Sequence, residues 1–356
     1  MFIYDLAIIG GGVSGLTLCI SALQKGKDVL LFEKNDRPGK KLLMTGNGKC
    51  NISNINMDAS KYNTAFVKDI ISRDIRKFLF DLGLITKNLG DRVYPYSESA
   101  NDVLNILRKQ IPTDCIITSK EINKIDKEND YYVIDGKKFK NVALCTGSKA
   151  TVGTNSYSLY EKFGHNVTTL TPSIVPLLTD KTYLKQLDGL RVKCRLTLCK
   201  DKKPVWSDAG ELLFRQDGVS GIVSMMASTY IARHLGDYSL SIDFIPDLNE
   251  VKILNIDGVV RRPIAIQIEN QAKDRKIPVE LCLKDFILQD VKLGDITKAQ
   301  VVCGGLDLTQ FNENLESKLS KGLFACGEVL DVDGECGGYN VHFAMASALT
   351  VGDAIW

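Results

Sequence analysis

Three glycines, Gly10, Gly12 and Gly15, stand in the pattern GxGxxG between the apolar run Leu6 to Ile9 and an apolar stretch of helix length. A second apolar run, "DVLLFE", follows. Strand, glycine turn, helix and strand in this order predict a βαβ unit. Gly10 permits the tight turn, Gly12 lets the backbone approach a pyrophosphate, and Gly15 allows the helix to pack closely. Val13 and Ser14 open that helix, whose first N–H groups lack internal partners and favour an anion. Glu33 lies 18 residues beyond Gly15 at the end of the second strand, where a carboxylate can accept hydrogen bonds from both ribose hydroxyls. Lys34, beside it, joins the cofactor-binding set. A glycine-rich turn in an unrelated α/β protein is the plainer alternative, and it leaves Glu33 unexplained.

The fingerprint does not separate NAD from FAD, so the choice rests on the rest of the chain. Near the C-terminus, "GLFACGEVLDVDGECGGYNVHFAMASALTVGDAIW" reads as a buried strand from Leu323 to Cys326, a turn at Gly327 and Glu328, a polar loop containing Asp331, and a helix from about Asn340. In two-part FAD folds a late strand ending in Gly and an acid meets the ribityl chain and pyrophosphate. The next helix then points its positive N-terminus at the flavin. The Gly337-Gly338 turn, Tyr339 and Asn340 stand at that helix start. Tyr339 reads equally as an aromatic wall or proton donor over the ring and as a packed aromatic. A third strand, "KFKNVALCTGS", closes on Thr146 and Gly147. Alone it is only a buried strand ending in a turn; beside the other two pieces it reads as the strand that returns past the cofactor.

With these pieces in view, the chain resembles the bacterial NAD(P)/FAD-dependent oxidoreductase flavoproteins, which include aminoacetone oxidases and bile-acid dehydro-reductases. "IIGGGVSG", "PGKKLLMTGNGKCNISN", "FGHNVTTLTPSIVPL", "GELLFRQDGVSG" and "SKLSKGLFACGEVLDVDGECGGYNVHFAMA" match in family order over most of the chain. The resemblance implies an α/β fold: a two-part Rossmann-like FAD-binding domain with an inserted β-rich and helical domain. We place the first part at 1–182, the insert at 183–298 and the second part at 299–356. It also implies that the loop Met44 to Asn54 wraps the flavin end of FAD. Lys40 and Lys41 would then face phosphate or ribose oxygens, Gly46 and Gly48 would let the backbone lie against a flat ring, and Asn47 and Asn51 would meet its polar edge. Cys50 reads either as a flavin-contacting thiol or as a packed, inert one. Between Asp243 and Gln300 the chain departs from the family, with a helical segment that looks shortened.

Within the insert, "LRVKCRLTL" and "KPVWSDAGELLF" predict an antiparallel pair joined by a solvated turn at Lys200 to Pro204, and "GIVSMMASTYIARHLG" predicts a helix with Met225 and Met226 in a core or pocket. His165, His234 and His342 show no catalytic or metal-binding spacing. His342 alone falls near the expected flavin, where a capping or solvent-facing role competes with a functional one. No catalytic residue is assigned.

Charge narrows the partners. With 45 basic against 43 acidic residues the formal net charge is +2, and no long basic run favours a polyanion, so nucleic acid is not an expected partner. A flavoprotein that modifies tRNA would carry a basic face. Ten cysteines with no zinc-knuckle or redox spacing read as free thiols in a reducing compartment, and no metal is expected. The start "MFIYDLAIIGGG" lacks a basic leader, and no apolar run reaches the roughly 18 residues of a membrane span. The expectation is a cytoplasmic FAD enzyme that exchanges hydride with a small organic substrate, with NAD(P)H or dioxygen completing turnover. The alternative is a non-catalytic FAD protein or redox sensor. After Gly15 there is no second GxGxxG, so a nicotinamide donor is expected to share the substrate's access to the flavin, with ping-pong kinetics.

Overall fold

The apolar run before Gly10 forms β1 (Ile3–Ile9) in the computed structural model, which describes residues 2–148, 150, 157–248 and 255–356. After the glycine turn come α1 (Val13–Gln24) and β2 (Val29–Phe32), which pairs parallel with β1, Ile8 opposite Leu31. Every residue of β2 is buried, as a continuous apolar strand must be when both sheet faces are covered. On the far side of β2 lies β3 (Ile116–Ile117), and on the other side of β1 lies β4 (Lys137–Leu144), both parallel. The outer edge of β4 is shared. Its first residues pair with the antiparallel hairpin Asp126–Glu128 and Tyr131–Ile134, and its last three pair in parallel with β5 (Leu323–Ala325). The second part of the chain thus re-enters the sheet of the first, and α2 (Tyr339–Ala354) packs on α1. β1, β2, β4, β5 and α2 each start or end within about three residues of the expected places.

By contacts the chain divides into Met1–Leu170 with Val302–Trp356, and Thr171–Val301. The second unit is a closed antiparallel barrel of Leu177–Leu178, Arg191–Lys200, Lys203–Arg215, Gly218–Ser220, Tyr238–Asp243 and Phe286–Leu293. Cys194, Leu196 and Leu198 alternate inward along one strand, the period-2 pattern of a strand buried on one face. Its hairpin partner is reached through an exposed turn in which Asp201 and Lys202 both have positive φ, as a two-residue hairpin loop requires. Helix Ile222–Arg233 buries Val223 and Ala227 and leaves Met225 and Met226 half-buried. Beyond it, Arg262–Arg275 and Val279–Lys284 are the α-helices among the described residues between Asp243 and Gln300, flanked by 3-10 turns at Ile256–Gly258 and Ile296–Lys298. The expected insert, 183–298, lies inside this unit. The unit starts earlier because Leu177–Leu178 bonds to both Gly218–Ser220 and Phe286–Leu293 and so closes the barrel.

Candidate cofactor site

The glycine turn is built by the ends of β1 and β4. Gly10 has φ +106°, and a Cβ there would lie 2.5 Å from the Cys145 carbonyl oxygen and 2.8 Å from the Thr146 Cα. A Cβ on Gly15 would lie 1.9 Å from the Gly10 carbonyl oxygen. Both glycines are therefore required by the protein's own backbone. Gly12 differs: its Cβ would meet only the Cys145 oxygen, at 3.8 Å, and its backbone is extended. The fold itself places no demand for glycine there.

Glu33, 6% exposed, ends the second strand as expected. Its Oε2 accepts from the Gly11 N–H at 2.8 Å, and its Oε1 accepts from the Asn35 backbone and side-chain N–H groups at 2.7 and 2.6 Å. The carboxylate thus ties β2 to the glycine turn and, with about four lone-pair sites, keeps capacity for a further hydroxyl. Lys34 is half-buried beside it. In the first turn of α1, Val13 is half-buried and the Ser14 hydroxyl lies 2.8 Å from where a Cβ on Gly327 would sit. The end of β5 therefore also meets this helix start.

Glu328, next after Gly327, forms an ion pair with Lys41 and accepts from the Ser148 hydroxyl at 2.8 Å and the Val302 N–H at 3.2 Å. Among the described residues, Thr146 Oγ1 is buried without a hydrogen-bond partner, and Gly147, at φ +70°, has nothing within 4 Å of its missing Cβ. Asp331 accepts from Thr168 Oγ1 at 2.8 Å and from Asn63 Nδ2 at 3.2 Å, and burial raises its carboxyl above the usual range. The two adjacent lysines separate: Lys41 joins this cluster, while Lys40 is exposed and paired with Asp36 at 2.6 Å.

The loop 44–54 starts in a kinked 3-10 stretch, Leu42–Gly48, whose chain reverses at Gly46, Asn47 and Gly48, all with positive φ, and ends in the short strand Ser53–Asn54. Asn47 and Gly48 are exposed, and a Cβ on Gly48 would have nothing within 4 Å. Cys50, also at positive φ, is fully buried, and burial pushes its thiol up to about 11. It is a protonated, packed side chain. The loop docks on the start of α2: a Cβ on Gly338 would lie 2.4 Å from the Ser53 carbonyl oxygen and 2.8 Å from Asn51 Oδ1, itself buried and without a partner.

Residues of α2 hold this contact from behind. His342 Nε2 lies 2.9 Å from the Ile71 carbonyl oxygen, which can only accept, so that nitrogen carries the proton and Nδ1 accepts from the Ser53 hydroxyl at 2.8 Å. Burial lowers the imidazole pKa, so the ring stays neutral. His342 is thus a buried brace rather than a solvent-facing cap. Tyr339 is buried edge-on to Tyr62, whose hydroxyl donates to the Tyr339 carbonyl oxygen at 2.8 Å. The Asn340 side chain clasps the backbone of Gly334 through two bonds of 2.8 Å. Sequence reasoning missed Ser148, Tyr62 and the Gly11 amide. Ser148 alone had a signal, as the residue closing "CTGS".

FAD fits what these residues offer. Gly12, Gly48 and Gly147 carry no side chain where the fold would tolerate one in space, and Asn51 Oδ1 and Thr146 Oγ1 are polar atoms the protein leaves unpaired. Three strand ends converge on one helix N-terminus, with the Glu33 carboxylate against the glycine turn. Such a two-part Rossmann-like sheet is the fold of a dinucleotide-binding protein. More narrowly, the chain belongs to the family described as HI0933-like protein Rossmann domain, which matches residues 4–354. It is 27% identical over 401 residues to a 3-dehydro-bile acid delta(4,6)-reductase of Clostridium scindens, covering 98% of each chain. It is 26% identical over 392 residues to a ribosomal RNA dihydrouridine synthase of Escherichia coli, covering 97% of this chain and 96% of that one. In fold it is similar to a 3-ketosteroid-delta4-(5alpha)-dehydrogenase from Rhodococcus jostii, with TM-score 0.52, 14% identity, and coverage of 99% and 97%. No helix among the described residues is long and apolar enough to cross a membrane.

Proposed function

We propose that the protein is an FAD-dependent reductase that adds hydrogen across a carbon–carbon double bond activated by a neighbouring carbonyl, on a small organic substrate. NAD(P)H returns the two electrons and completes turnover, and dioxygen competes with the substrate for the reduced flavin. The observation that carries this reading is the seating of Asn51 and Ser53, at the end of the 44–54 loop, on the N-terminus of α2 at Gly338. Bound FAD supplies a hydride donor and acceptor at its ring. The chain's residues do the rest. The α2 N-terminus, whose dipole favours negative charge, would meet the ring's polar edge, and His342, held neutral by burial, leaves that stabilisation to the dipole alone. Glu33 and the Gly11–Gly15 turn hold the ribose and pyrophosphate end, and Lys41 with Glu328 holds the middle. Cys50, kept as a thiol, takes no nucleophilic part.

The relatives support the choice of reaction. The bile-acid reductase and the dihydrouridine synthase bear names that both denote saturation of a carbon–carbon double bond. A steroid enone and a uracil ring share a double bond conjugated to a carbonyl, the electron sink that hydride addition needs. The near-neutral charge favours the small substrate over RNA, and relatives named for ribosomal RNA make RNA the second substrate to test. The test is anaerobic mixing of the yellow holoprotein with NADH or NADPH, then reoxidation by a 3-oxo-4-ene steroid, a uridine oligonucleotide or dioxygen. The expected result is reoxidation by the enone with two hydrogens gained in the product. If neither unsaturated acceptor reoxidises the flavin faster than buffer, the proposal fails.

A further inference from the structure

Tyr157 lies outside every motif discussed above, yet its surroundings are those of the cofactor cluster. It is 3% exposed, and its hydroxyl is buried without a hydrogen-bond partner among the described residues. A buried hydroxyl left unpaired is costly, so it calls for an explanation. Orphaned atoms alone mark no site: Thr17 Oγ1 and His165 Nδ1 share that condition. What sets Tyr157 apart is its neighbours. It lies close enough to the carboxylates of Glu328 and Asp331 for both to raise its pKa, after burial as the larger cause, so the phenol stays protonated. Glu328 accepts instead from Lys41, Ser148 and Val302. Asp331 is likewise engaged by Thr168 and Asn63. Thr146, the other orphaned hydroxyl nearby, stands two residues before Ser148 and against Gly10.

We propose that Tyr157 is a cofactor-positioning residue whose hydroxyl donates a hydrogen bond to an oxygen of bound FAD beside Glu328, with Thr146 serving the same stretch of the cofactor. The inference rests on the FAD reading above. A protonated donor beside carboxylates that do not accept from it has no acceptor among the described residues, and the ribityl hydroxyls and pyrophosphate of FAD are acceptors that a bound cofactor would bring.

The experiment strips FAD from the holoprotein and compares wild type, Tyr157→Phe, Thr146→Val and Tyr160→Phe by FAD titration and by urea unfolding of the FAD-free form. Tyr160 is the control, because its hydroxyl has a partner in the Phe324 carbonyl oxygen. The expected result for Tyr157→Phe is an FAD Kd raised about three- to tenfold, the worth of one neutral hydrogen bond, with FAD-free stability equal to or above wild type. Tyr160→Phe should show the reverse, lower FAD-free stability and little intrinsic change in affinity. If Tyr157→Phe binds FAD as wild type does, or loses FAD-free stability as Tyr160→Phe does, the positioning role is overturned while the cofactor reading stands. Failure of the wild type itself to take up FAD would overturn both.

Discussion

Gly12 and Gly15 stand three residues apart in one motif, yet their replacement by alanine should fail in opposite ways. At Gly15 the new Cβ would sit 1.9 Å from the Gly10 carbonyl oxygen, far inside the 3.0 Å that real Cβ contacts keep. Both partners are backbone, so relief requires α1 to move off the turn. Overpacking of this kind costs about 1–3 kcal/mol or more. At Gly12 the nearest atom is 3.8 Å away and the backbone, φ −71° and ψ −175°, suits any L-residue. There alanine should leave the FAD-free protein unchanged or stabilise it by about 0.4–1 kcal/mol, through the unfolded chain. The same methyl would stand where a pyrophosphate must approach the helix N-terminus. Losing one charge-assisted N–H bond there costs about 1.5–3 kcal/mol, hence a ten- to hundredfold weaker Kd. Urea unfolding of the FAD-free variants and flavin titration read the two effects separately. Gly12→Ala that binds FAD like wild type would refute the placement of the pyrophosphate. Gly15→Ala of undiminished stability would refute the account of the turn.

Glu33→Ala should weaken FAD and also lower FAD-free stability by about 1–3 kcal/mol, because it orphans the buried Gly11 N–H; unchanged affinity by titration would show that Glu33 is not on the ribose. In the flavin loop, Gly48→Val should block cofactor uptake, measured as flavin content, since φ +83° strains any side chain placed there. Asn51→Ala should shift the flavin spectrum or potential, whereas Cys50→Ser should be mild in both. Burial lowers the pKa of His342 and of His165, so the folded state binds fewer protons than the unfolded one below about pH 6.5. Their contribution to stability is complete above that pH and is lost as pH falls through the folded values. The urea midpoint should drop on acidification, less steeply in His342→Gln, and an unchanged slope would mean that His342 is not among the groups responsible.

How far the sequence could be read depended on whether a residue's partner was nearby in the chain. The β1–α1–β2 unit was legible because its apolar run, glycines and terminal acid occupy adjacent positions and each constrains the next. The start of α2 was legible within a residue for the same reason, as was the turn at Asp201 and Lys202. Barrel closure was not, because Leu177–Leu178 is a two-residue strand with no periodicity and is defined only by the strands it joins. Lys40 and Lys41 are indistinguishable as neighbours. One pairs with Asp36 four residues away, the other with Glu328 on the far side of the chain. His342 carried a helix-start signal that suggested a solvent-facing cap, and only the return of the Ser53 loop encloses it.

Polar accounting links the stability of the scaffold to its chemistry. In the FAD-binding unit Asn51 Oδ1, Thr146 Oγ1 and Tyr157 OH are buried and unpaired, at about 1–3 kcal/mol each. A chain optimised for folding alone would carry apolar groups of the same shape, since replacing an unpaired hydroxyl removes its desolvation cost. These atoms border the Gly338 helix start, the Gly10 turn and Glu328, so under the proposal above the cost would be recovered when a ligand with matching polar atoms is seated. Stability and binding are then opposed at the same atoms. Thr146→Val with Tyr157→Phe should give an FAD-free protein more resistant to urea than wild type and a holoprotein that gains less from FAD, a pairing of effects that a purely structural role for these side chains does not produce.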